Sequence, residues 1–167
     1  MRILLTLVLA AAPAFAAAAD SPTAVVAALW QGLSHAPGVA ADVARLETLF
    51  RSDAIVAGGS YRQDRPSFSS MKAAEFIAAQ RTPRPTGFHE CEIMREVRRY
   101  DRFASVYSVV ESRRDPAAPK ADFTGVNSIQ LYRGEDGWKI VSLYYHVEKA
   151  GLPVQLEGGK PGACLGA

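Results

Sequence analysis

The sequence predicts an α+β domain, with helices first and a long antiparallel meander after them. Two observations carry this. Apolar residues recur at helical spacing as far as about residue 80, then alternate one-by-one from residue 87 onward. Tight turn residues cut that alternating stretch into four strands of similar length. Helices ahead of consecutive hairpins argue against a doubly wound parallel sheet.

The chain begins with Arg2 and an apolar run from Ile3 to Ala12, interrupted only by Thr6. Pro13 breaks the run, and Ala14-Phe15-Ala16 and Ala17-Ala18-Ala19 both fit small-residue cleavage sites. Residues 1–19 are therefore expected to be a secretory signal peptide, with a domain over 20–150 and an irregular tail over 151–167. The expected location is periplasmic or secreted. The run is too short for a permanent span, and no later stretch is longer, so no membrane contact is expected after cleavage.

Ser21-Pro22 reads as a helix cap and first residue, and Val25, Val26, Leu29, Trp30 and Leu33 give an amphipathic helix over 22–35. Val43, Leu46, Leu49 and Phe50 predict a second over 40–51. A short strand is expected at 54–57, stopped by Gly58-Gly59, with 60–68 irregular. Ser69 or Ser70 is expected to cap a third helix through Gln80, and Thr82-Pro83-Arg84-Pro85 is a rigid connector. Strands are expected over 87–99, 103–114, 123–133 and 138–149.

The formal charge of +2 falls to +1 once Arg2 is removed (2 − 1), so nucleic acid is not an expected partner. Export permits a disulfide between the two cysteines, Cys91 and Cys164, which would pin the tail to the sheet. The alternative leaves Cys91 as a small buried strand residue and Cys164 on a loose end.

Alternation assigns the strand faces. On residues 88–98, Glu90, Glu92, Met94, Glu96 and Arg98 suit water, while His89, Cys91, Ile93, Arg95 and Val97 read as inward. In the last hairpin, a four-residue loop from Arg133 to Asp136 pairs Leu131 with Trp138, Ile129 with Ile140 and Asn127 with Ser142. That register gathers Asn127, Ser142, Tyr144 and His146 into a polar patch at one end of an apolar face, as a ligand cavity requires. The middle strand has two readings. A two-residue turn at Asp101-Arg102 sets Val106, Ser108 and Val110 beside Val97 and Ile93. A longer turn sets Tyr107, Val109 and Glu111 there, and avoids placing Glu111 opposite Glu92.

This element order resembles the cone-shaped nuclear transport factor 2-like superfamily, which includes SnoaL-like cyclases. Asp136-Gly137-Trp138-Lys139-Ile140 is similar to that superfamily's last hairpin. Phe88-His89-Glu90, Val110-Glu111-Ser112-Arg113 and Gly125-Val126-Asn127-Ser128-Ile129-Gln130-Leu131 look like a bacterial branch with no assigned activity. The resemblance implies three helices on a curved antiparallel sheet and a site inside the cone. Ketosteroid isomerases in this superfamily use a carboxylate base with a Tyr and a protonated acid as oxyanion donors. Here Tyr107 or Tyr144 could donate and Glu111 could accept, but no second acid reads as inward. The scytalone dehydratase signature also lacks its Asp, so neither activity carries over.

His35, His89 and His146 fall on separate elements, and His89 and Glu90 face opposite sides of one strand, so no metal site is expected. The residues thus suggest a pocket for a small, mostly apolar molecule, working without a cofactor. In an enzyme, His89 or Glu111 would be the base, and Tyr107, Asn127 or Tyr144 would hold negative charge. In a binding protein, Asn127, Ser142, Tyr144 and His146 would be polar anchors. A third reading is a homodimer through an outer face bearing Val126, Gln130, Tyr132, Val141, Leu143 and Tyr145.

Overall fold

The protein is described here by a computed structural model over residues 20–165. The signal peptide expected over 1–19 lies outside the described residues. Helix α1 spans Pro22–Leu33 and α2 spans Val43–Leu49. Strands β1 (Phe50–Arg62) and β2 (Arg65–Lys72) follow, then α3 (Ala73–Ala79). Four further strands complete the domain: β3 (His89–Tyr100), β4 (Phe103–Arg113), β5 (Phe123–Gly134) and β6 (Gly137–Val147). The six form one sheet in the order β2-β1-β6-β5-β4-β3. All neighbours are antiparallel except β1 and β6, which are parallel. Three helices on a curved six-stranded sheet make an α+β cone.

Local chemistry explains the helices. The Ser21 hydroxyl accepts from Ala24 N at 3.1 Å, and Pro22 at the first position loses no helical hydrogen bond. Asp42 caps α2 through Arg45 N at 3.0 Å. Val25, Val26, Leu29 and Leu46 are fully buried. Each such side chain contributes about 1.5–3 kcal/mol by leaving water.

The short strand expected at 54–57 is the middle of a full hairpin, and Gly58-Gly59 do not stop it. Residues 60–68 are not irregular: β1 and β2 pair from Ile55–Lys72 to Arg62–Arg65 around a two-residue turn. Gln63 and Asp64 hold positive φ there, the conformation a tight hairpin needs. β2 is an edge strand with no fully buried residue, so it carries no apolar alternation. The hairpin separates α3 from the first two helices, and α3 starts at Ala73 rather than at Ser69 or Ser70.

Two bulges decide the rest of the sheet. Tyr100 pairs with Phe103 and Val97 with Val106, the two-residue turn at Asp101-Arg102. One extra residue at Ile93 then shifts the register, so that Glu92 faces Val110 and Cys91 faces Glu111. The clash of Glu92 with Glu111 never arises. In the last hairpin the loop is also two residues, with Gly134 opposite Gly137. An extra residue at Val141 then changes the pairing from Leu131–Ile140 to Gln130–Ser142. Each bulge turns the following residues to the other face.

The tail crosses the outer face. Val154 and Leu156 pack on Cys91, Ile93, Met94 and Val109. Gly162 N donates to Glu111 Oε2 at 3.0 Å, and Leu165 N to Glu92 O at 2.6 Å. Cys91 and Cys164 form a disulfide with Cα atoms 5.0 Å apart, across 73 residues of sequence. Closing a loop of that length stabilises the fold by roughly 4 kcal/mol in the chain-entropy model. We expect C164S to lower unfolding free energy by about 2–4 kcal/mol in urea titrations. Reductant should lower the wild type by the same amount and leave C164S unchanged.

Candidate functional site

A cavity of about 290 Å³ opens between the helices and the inner face of β3–β6. Trp30 and Leu33 of α1, Phe76 of α3, Phe88 and Val110 supply apolar walls. Leu143, Tyr145 and Val147 line it from β6. The polar groups are Glu90, Ser112, Asn127 and the rim residue His146 from the sheet, with His35, Gln80 and Arg84 from the connecting segments.

The inner face follows directly from the register. Glu90 pairs with Ser112, and Asn127 lies between Ser108 and Tyr145 in one row across β4, β5 and β6. Tyr145 pairs with Gly58 on β1. A Cβ at Gly58 would sit 2.1 Å from the Tyr145 ring, so glycine lets that ring lie over β1.

Glu90 is held from both ends. Its backbone N–H donates to Ser34 Oγ at 3.0 Å, and Ser34 Oγ donates to Trp30 O at 2.7 Å. The adjoining His35 and Phe88 exchange two backbone hydrogen bonds, at 2.7 and 2.9 Å. The strand start is thereby fixed to the end of α1. Ser112 Oγ donates to Glu90 Oε2 at 3.2 Å. No cation pairs with this carboxyl among the described residues. Glu90 is half-buried: it opens on the cavity while protein crowds its other sides, so the charged form loses much of its water. Burial pushes the carboxyl from 4.5 up to about 8, against the smaller opposing pull of the Ser112 hydroxyl. At neutral pH Glu90 is mostly a neutral acid, able to donate a hydrogen bond.

Asn127 is buried and donates Nδ2 to Ser108 O at 3.3 Å. That leaves its carboxamide oxygen and second N–H for other partners. Trp30 lines the cavity with its ring; its indole N–H is closed off from that space and has no acceptor among the described residues. The site can therefore surround an apolar body and meet an oxygen acceptor at a few defined points.

Of the residues singled out from sequence, Asn127 lines the cavity and His146 borders it. The His146 ring lies above Gly59 on the other face, where Nδ1 meets Tyr144 Oη at 2.9 Å and Tyr61 packs edge-on at 5.8 Å. Ser142 and Tyr144 also face outward, because the Val141 bulge reverses that end of β6. Ser142 Oγ bonds Gln130 Oε1 at 3.1 Å. Leu143 and Tyr145, expected outside, face inward for the same reason.

Glu111, Tyr107 and His89 are likewise outside the cavity. The two-residue turn puts Val106, Ser108 and Val110 on the inner side of β4, leaving Tyr107 and Glu111 on the other. Glu111 is buried beneath the tail, where it pairs with Arg113 at 2.6 Å. His89 shares the outer side with Cys91, one residue from Glu90. Glu92, expected in water, is buried with Arg95 and accepts from Ser108 Oγ at 2.6 Å. Glu90, Leu143 and Tyr145 are the cavity residues that sequence reasoning assigned to the wrong side. The signal for Glu90 was its place beside the helix end, not its neighbours in the strand.

No protein-family model matches the chain, and no curated protein matches it. Solved structures do. A protein of unknown function from Shewanella baltica, described as NTF2-like, superposes with a TM-score of 0.53 at 16% identity, covering 76% of this chain and 90% of that one. A Parabacteroides distasonis protein described provisionally as a ketosteroid isomerase gives 0.51 at 15% identity, covering 77% and 88%. At such identity the likeness is one of fold: the chain has the nuclear transport factor 2-like fold.

The raised Glu90 carboxyl has a sign-definite consequence for stability. Between pH 4.5 and about 8 the folded chain keeps a proton that the unfolded chain releases. This contribution to stability is therefore full below pH 4.5 and is lost as pH rises through that window. We expect the difference in urea midpoint between E90Q and wild type to shift in favour of E90Q across that window, and to level off above it.

Proposed function

We propose that this chain is an exported protein whose cavity takes up a small, mostly apolar molecule bearing a hydrogen-bond acceptor, such as a carbonyl oxygen. The observation that carries this is Glu90. Among the described residues it is the sole carboxyl lining an otherwise largely apolar cavity, and burial keeps it protonated at neutral pH. A neutral acid in an apolar wall is costly unless it donates, so an acceptor on the ligand completes it. The Asn127 carboxamide, with one N–H bonded to Ser108 O and the rest of the group free, supports the same polarity. The disulfide favours an oxidising compartment. No helix among the described residues is long and apolar enough to cross a membrane, which is compatible with export.

A second reading has Glu90 exchange a proton with the bound molecule. A carboxyl titrating near 8 is well matched to proton transfer at neutral pH. The ketosteroid isomerase description of one fold neighbour belongs to this reading. In this version Glu90 returns to one protonation state each cycle, and no cofactor enters.

The test uses 2-acetonaphthone and the shape-matched hydrocarbon 2-isopropenylnaphthalene, followed by calorimetry at pH 6.5. We expect the ketone to bind about tenfold tighter, the worth of one buried hydrogen bond. E90L should erase that preference. E90Q, which still donates, should keep it, and only the wild type should lose ketone affinity above pH 8. Equal binding of ketone and hydrocarbon to the wild type would contradict the proposal. Glu90-dependent deuterium exchange at the ketone methyl group would establish turnover, and exchange equal in wild type and E90Q would exclude it for this ketone.

A further inference from the structure

The cavity carries a second chemical instruction. Arg84 lines it from the connector between α3 and β3. Its backbone is fixed: Gly38 N donates to Arg84 O at 2.7 Å, and Pro83 and Pro85 restrict the chain on either side. Arg84 is exposed, and its side chain has neither an ion pair nor a hydrogen bond among the described residues. Arg45, Arg51, Arg81, Arg95, Arg98, Arg113 and Arg114 each have an acidic partner. Arg84 differs from them in being held beside the cavity and left uncompensated.

The remaining charges reinforce this. Among the described residues Glu90 is the only acidic one lining the cavity, and it enters from the sheet. His35 Nδ1 is engaged with Ala36 O at 3.0 Å, and His146 Nδ1 with Tyr144. A planar guanidinium suits a carboxylate, which it can grip through two parallel N–H donors. We propose that the ligand is an amphipathic carboxylate, its apolar body in the cavity and its carboxylate on Arg84. This rests on the cavity reading above and adds the class of molecule.

The geometry also orders the ligand. The carboxylate stays toward solvent, where an ion keeps part of its hydration. The apolar body meets Trp30, Phe88 and Val110, and the neutral Glu90 meets any acceptor further in. A carboxylate placed inward would lose its water for a partner that carries no charge.

The experiment compares naphthalene-2-carboxylate with its methyl ester, which keeps the body and the carbonyl but loses the charge. Binding is measured by fluorescence titration at pH 6.5 and low salt, on wild type and R84Q. We expect the acid to bind the wild type about fivefold tighter than the ester, the scale of a partly exposed ion pair. Raising salt should narrow the gap. R84Q should bring the acid down to the ester's affinity and leave the ester unchanged, which also shows that the variant is folded. Ester binding with no preference for the acid, or a preference that survives in R84Q, overturns the carboxylate assignment alone. Binding of neither probe to either protein overturns the cavity reading and this inference with it.

Discussion

Side-chain parity in a sheet is the constraint on which this molecule depends. A strand offers alternate residues to opposite faces, so one inserted residue reverses everything beyond it. This protein uses that twice. The extra residue at Ile93 puts Glu92 opposite Val110 and turns Cys91 toward the tail. The extra residue at Val141 brings Leu143 and Tyr145 inward and sends Ser142 and Tyr144 out. The cavity exists in its present form because both reversals act on the same inner face. Glu90, Ser112, Asn127 and Tyr145 meet there, under α1.

The same constraint separates two kinds of carboxyl on these strands. Glu92 and Glu111 are compensated, by Arg95 and Arg113, and accept further hydrogen bonds from Ser108 and the Gly162 amide. They are structural, tying β3 to β4 and the tail to the sheet. Glu90 has only the Ser112 hydroxyl and is pushed toward its neutral form. Three glutamates within one hairpin thus take different roles according to what the register places beside them. The disulfide reinforces the outer arrangement by holding the tail over Ile93 and Met94, where Gly159 lets the backbone pass close to Ile93 O.

Much of the fold was legible from the residues. The change of period near residue 87 located the helices and the four later strands within a few residues. Ser21-Pro22 marked the first helix, and the Asp136-Gly137-Trp138 segment marked the last hairpin. The β1–β2 hairpin was hidden because β2 is an exposed edge strand whose polar residues show no alternation. The site was less legible for a different reason. A bulge has no fixed residue signature, and at both sites the bulged residue is an ordinary apolar one, Ile93 or Val141. Simple alternation therefore recovered Asn127, which lies on the inner face under either register, misassigned Glu90 and Tyr144, and left the face of Tyr107 and Glu111 open. The like-charge objection to pairing Glu92 with Glu111 was sound physics; the chain meets it by shifting register rather than by changing the turn.

The account turns on one carboxyl facing the cavity in neutral form. Carboxyl-carbon NMR across a pH titration, with glutamate side chains isotopically labelled and E90Q used for assignment, reads that state directly. The account predicts one glutamate resonance titrating near 8 in the wild type and missing from E90Q. A Glu90 resonance titrating at the ordinary value near 4.5 would contradict it.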